Sequence, residues 1–79
     1  MPRIVQLNNC KICIYPDDHM PPHFNVRGPG WNVQVNLLTL KVMVGKASRA
    51  DIAEALQWAA ANMELLWGEW KRLNERDKQ

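Results

Sequence analysis

The stretch His23-Phe24-Asn25-Val26-Arg27-Gly28-Pro29-Gly30-Trp31-Asn32-Val33-Gln34-Val35-Asn36-Leu37 decides the fold. Apolar and polar residues alternate on either side of a Gly-Pro-Gly turn, which is the period-two pattern of two antiparallel strands with one buried face. Placing Gly28 opposite Trp31 sets Val26 against Val33 and Phe24 against Val35. The same register sets Arg27 beside Asn32, Asn25 beside Gln34 and His23 beside Asn36. One face of the hairpin is therefore apolar and the other wholly polar. Pro-Gly favours a type II turn over the primed turns of tight hairpins, so a longer, bulged loop is expected.

Upstream, Ile4 to Leu7 and Cys10 to Tyr15 read as two more strands joined by Asn8-Asn9. Asparagine tolerates positive φ, so this pair suits a primed two-residue turn. Leu7 then faces Cys10 and Val5 faces Ile12 on one side, while Gln6 and Lys11 share the other. Pro16 ends the second strand because it lacks a ladder donor. Downstream, a short edge strand is expected over Leu40 to Val44, closed by Gly45.

Ser48 with Asp51 three residues later has the spacing of a capping box. From there Ile52, Leu56, Ala59, Met63, Leu66, Trp70 and Leu73 recur in steps of four and three, a helical seam bordered by Ala53, Ala60 and Trp67. Each large side chain buried along it contributes roughly 1.5–3 kcal/mol. Gly68 costs the helix about 1 kcal/mol relative to alanine. It marks either a close approach to the sheet or a kink. Trp58 and Leu65, seven residues apart, fall on the side away from the seam. The expected fold is α+β: an antiparallel sheet of about four strands over residues 3–44, packed against one long C-terminal helix over 49–76. The whole chain, 1–79, reads as a single domain.

At 79 residues with 47% apolar content, such a domain has little stability to spare. Four tryptophans are also more than a sheet and one helix readily hide. Association with a small partner protein, with a second copy, or with both is therefore expected. A net charge of +2 permits RNA contact but falls short of a dedicated nucleic-acid binder. Cys10 and Cys13 are spaced C-x-x-C, yet strand alternation sends their sulfurs to opposite faces, against a redox or zinc role. Nothing calls for a cofactor. No cationic start with an apolar run and small-residue cleavage site is visible, and the apolar runs are too short to cross a bilayer. The expectation is a cytoplasmic protein without a membrane segment.

Reactive groups concentrate in Tyr15-Pro16-Asp17-Asp18-His19-Met20-Pro21-Pro22-His23-Phe24-Asn25-Val26. Proline holds flanking side chains at set positions, and Asp18 beside His19 is placed to orient an imidazole and raise its basicity. Three readings compete. The loop is a rigid bridge whose His and Asp side chains bond its own backbone. Alternatively, His19 and His23 ligate a metal with an aspartate, although their spacing matches no standard zinc pattern. In the third, Asp17, Asp18, His19 and His23 act on a nucleic acid while Arg27 stabilises phosphate charge.

The start Met1-Pro2-x-Ile4, the core Asp18-His19-x-Pro21-Pro22-His23-Phe24-x-Val26 and a C-terminal helix with a late tryptophan resemble a widespread group of short bacterial proteins, known as a domain of unknown function. The likeness runs from Met1 to about Trp70. It implies a small partner protein from a two-gene, toxin–antitoxin-like cassette and, less directly, a role directed at RNA. Where that family carries a second histidine on the strand, this chain has Asn25, a poor metal ligand that cannot act as a base near neutral pH. The reading is therefore a protein-interaction module. Its candidate surfaces are the polar sheet face (His23, Asn25, Arg27, Asn32, Gln34, Asn36) and the Trp58/Leu65 stripe. A small endoribonuclease-like enzyme is the alternative, and a metal-binding domain a further one.

Overall fold

A computed structural model of the chain describes residues 3–16 and 21–74. Five strands, β1 (Arg3–Gln6), β2 (Lys11–Cys13), β3 (His23–Gly28), β4 (Trp31–Asn36) and β5 (Val42–Val44), precede two helices, α1 (Arg49–Ala61) and α2 (Met63–Asn74). The strands form one sheet in chain order, β1-β2-β3-β4-β5, with every neighbouring pair antiparallel. The architecture is α+β, with five strands where about four were expected and two helices where one was.

The central hairpin has the register read from its alternation, from Gly28 opposite Trp31 to His23 opposite Asn36. The loop is not lengthened. Gly30 takes φ 79° while proline keeps Pro29 negative, the combination of a two-residue type II turn. The first hairpin also keeps its register, with Val5 opposite Ile12, Gln6 opposite Lys11, and the Leu7 N–H donating to the Cys10 carbonyl at 2.7 Å. Its turn is not primed, since neither Asn8 nor Asn9 has positive φ. Glu54 of α1 holds the turn instead, its carboxylate accepting from Asn8 Nδ2 at 2.9 Å and from both backbone N–H groups at 3.4 Å.

The apolar face carries the core. Ile12, Ile14, Phe24, Val26, Val33, Val35 and Leu37 lie against Ile52, Ala55, Ala59, Leu66 and Trp70 in one cluster. The Ser48–Asp51 capping box forms in both directions. The expected seam supplies the buried helical residues, with Ala55 added and the bordering Ala53 and Ala60 exposed.

The helix breaks at Asn62, and the cause is local. The Asn62 side-chain amide donates to the Trp58 carbonyl at 2.8 Å, taking the acceptor that its own backbone N–H uses in an unbroken helix. That N–H turns instead to the Ala59 carbonyl, at 3.1 Å. The apolar spacing runs through the break without a change of phase, so periodicity carried no sign of it. Gly68 has neither expected role: it lies six residues beyond the break, and an added Cβ would meet nothing within 4 Å. The expected helix end at 76 lies outside the described residues.

Candidate functional site

The strand pairings order the second face of the sheet into transverse rows. One row runs Gln6–Lys11–Arg27–Asn32 across four strands, and the next runs Cys13–Asn25–Gln34–Val44. His23 and Asn36 pair at the far end.

This face is polar in composition but not uniformly wet. His23 is only 3% exposed and Asn25 7%, and Cys13 is buried beside them. Continuing the β2 register places Tyr15 near His23, four positions along the ladder from Arg27. The Arg27 guanidinium nonetheless donates to Tyr15 Oη at 3.3 Å. The two long side chains therefore run toward each other above Cys13 and Asn25, and their apolar stems cover that pair. At the other end, the His23 ring lies 5.4 Å from that of fully buried Trp70. His23 Nδ1 faces the Pro21 carbonyl at 2.9 Å; a carbonyl only accepts, so the hydrogen sits on Nδ1. Asn25 Nδ2 and Trp70 Nε1 are buried with no acceptor among the described residues.

Of the expected site residues, the sheet brings His23, Asn25, Arg27, Asn32, Gln34 and Asn36 to one face, as their alternation required. Asn36 is occupied by the β4–β5 turn, where its Oδ1 accepts from the N–H groups of Leu38 at 2.6 Å and Thr39 at 3.1 Å. Asp17, Asp18 and His19 lie outside the described residues. Trp58 does not face outward; it packs half-buried against the core. The break at Asn62 separates it from Leu65, which is 47% exposed, so the expected stripe is not continuous.

Three features escaped sequence reasoning. Lys11 stands directly across from Arg27, and both line an open cavity of about 520 Å³ with Gln6, Asn8 and Asn9. Like charges placed opposite one another disfavour a sheet, and no carboxylate among the described residues lines this cavity. The spacing of Lys11 from Asn8-Asn9 and of Arg27 from the Gly-Pro-Gly turn held the signal. The second feature is the Tyr15 cover, which rests on a reach across the ladder that no motif encodes. The third is the exposure of β5, whose place as a short edge strand was expected. Val42, Met43 and Val44 are 43%, 37% and 54% exposed, and Leu38 in the preceding turn is 69% exposed. Here the run Val-Met-Val, apolar at consecutive positions of an expected edge strand, was the available sign.

The Cys10 thiol is pushed above its ordinary value by burial and, secondarily, by the nearby Glu54 carboxylate. It stays protonated at neutral pH and is a poor nucleophile. Among the described residues, no group of three or more His, Cys, Asp or Glu side chains is arranged to hold a metal ion. No helix among them is long and apolar enough to cross a membrane.

The family described as Domain of unknown function (DUF4160) matches residues 9–71. The chain belongs to this family. The DUF4160 match takes in β2 to β5, α1 and most of α2, and so includes both the buried His23–Asn25 pair and the exposed edge. Neither a curated protein nor a solved structure matches the chain.

Proposed function

We propose that this DUF4160 chain is a protein-interaction module: one member of a two-protein, toxin–antitoxin-like pair in the bacterial cytoplasm, binding a small partner protein. The observation that carries the reading is the concentration of exposed apolar surface on Leu38, Val42, Met43 and Val44. Scattered exposed apolar side chains are ordinary, whereas a contiguous group on the outermost strand of a small domain marks a contact surface. The placement of His23 and Asn25 agrees with this. A side chain 3% exposed, held by a backbone carbonyl and a buried indole, fixes the loop–strand junction better than it reaches a macromolecular substrate.

Co-expression with the product of the adjacent reading frame tests the proposal. A complex of fixed stoichiometry on size exclusion is the expected outcome. A chain that elutes alone at every concentration beside a soluble neighbour product would contradict it.

One observation favours a second reading, a small RNA-acting enzyme built on Asp17, Asp18, His19, His23 and Arg27. The Lys11–Arg27 pair faces an open cavity lined by no carboxylate among the described residues, which suits a phosphate. Growth arrest on expression, abolished by His23→Ala with the circular dichroism unchanged, would favour this reading over the module.

A further inference from the structure

The exposed apolar edge admits a sharper statement about what covers it. We infer that β5 takes up an extended apolar segment of another protein, carrying carboxylates at both ends, as a sixth strand of the sheet. The inference rests on the interaction reading above and gives it a surface, a geometry and a partner chemistry.

The pairing of β5 with β4 is irregular: Val42 stands opposite Val35, whereas Val44 stands opposite Gln34, with a register shift between the two pairs. Val35 belongs to the core face and is fully buried, while Gln34 belongs to the polar face. A bulge of this kind turns side chains two positions apart, which share a face in a regular strand, to different sides. Val42 therefore lies on the helix-covered side and Val44 on the polar side. A strand with one wet face alternates apolar and polar residues, whereas one covered on both faces is apolar throughout. Val42-Met43-Val44 has the second composition and the first position. Its composition is that of an interior strand, and the chain supplies no outer neighbour for it among the described residues. The opposite edge differs, since β1 keeps Ile4 and Val5 half-buried against the core and exposes Gln6.

Charge decides the occupant. Lys41 and Lys46 bracket the apolar residues, and both are exposed. Parallel pairing of two copies sets each lysine beside its equivalent. Antiparallel pairing about Met43 sets Lys41 opposite Gly45 of the other copy, one position from that copy's Lys46. In either orientation like charges gather at both ends, which disfavours the pairing. A segment with glutamate or aspartate at those positions turns both contacts attractive. The five steps from Lys41 to Lys46 span at most about 16 Å of chain, so the carboxylates belong up to about five residues apart.

Two capped hexapeptides, Glu-Val-Val-Thr-Val-Glu and Lys-Val-Val-Thr-Val-Lys, test this against the full nitrogen-15-labelled chain. The acidic peptide should shift the backbone amides of Lys41 to Lys46 and bind about ten-fold more tightly than the basic one, a margin that narrows as salt is added. Equal affinities, shifts confined to other elements, or no shift at millimolar peptide would overturn the inference. So would sedimentation showing a dimer that Val44→Lys abolishes, because a second copy would then be the occupant. The co-expressed neighbour product separates this inference from the reading beneath it. A complex that survives Val44→Lys refutes strand addition and leaves the module standing. Loss of the complex with unchanged circular dichroism supports both. Peptide binding at β5 without any neighbour complex supports the edge site and removes the cassette reading.

Discussion

Strands β3 and β5 lie in surroundings opposite to those that their compositions suggest. In β3, His23, Phe24, Asn25 and Val26 are all buried, two of them polar; in β5, Val42, Met43 and Val44 are all exposed, none of them polar. Hydropathy would have ranked them the other way. Position in the sheet is what differs. β3 is flanked by β2 and β4, packed from one side by the helices, Trp70 of α2 among them, and covered on the other by Tyr15 and Arg27. Among the described residues β5 has a single neighbouring strand, and it is delivered to the edge through Leu40, a non-glycine residue held at φ 59°. Left-handed backbone disfavours a branched side chain by about 1–2 kcal/mol. The Asn36-capped turn and the contact of Leu40 with the core offset that cost. The lesson is that β3 serves stability even in its polar residues, whereas β5 leaves an apolar surface that no other described element covers.

The comparison breaks most directly at Phe24. Phe24→Ala should lower unfolding free energy by about 3–5 kcal/mol, a large part of the whole for a chain this small. A urea titration with an unchanged midpoint would show that β3 is not the stabilising strand. Gly45→Ala addresses the other strand's anchorage. Gly45 sits at φ 88°, and an added Cβ would overlap the Asn32 carbonyl of β4. A loss of roughly 1–3 kcal/mol is expected from strain and displacement together. Hydrogen exchange should show the β5 amides opening first while those of β3 stay protected. Equal acceleration in both strands would mean that β5 is integral to the core. The smallest effect is expected at Val44→Lys, within about 0.5 kcal/mol of the parent in thermal unfolding, as for an exposed position away from special features. A larger loss would place Val44 among the core residues.

The central register was legible because a period of two leaves one pairing that buries Phe24, Val26, Val33 and Val35 together. The Ser48–Asp51 cap was legible because it is built within one turn. The conformation of Asn8-Asn9 was not, since Glu54, forty-six positions away from Asn8, decides it. The break at Asn62 went unseen because its apolar neighbours keep their phase across it. Trp58 was misplaced because Ala55, three residues before it, belongs to the buried face and the seam had left it out. Of the candidate site, alternation identified which residues share a face with His23. It did not show that His23 and Asn25 are covered, because the Tyr15–Arg27 contact and the Trp70 ring come from distant parts of the chain.

By itself, then, the order of residues determined what repeats over short range: the pairing of the strands, the capped helix start, the greasy side of each element. Those properties depend on backbone periodicity and neighbouring side chains, and they hold in any fold that keeps the elements. Which polar residues lost their water, and which apolar ones kept it, was decided only by assembly. Burial depends on what arrives from elsewhere, and at β5 nothing among the described residues arrives.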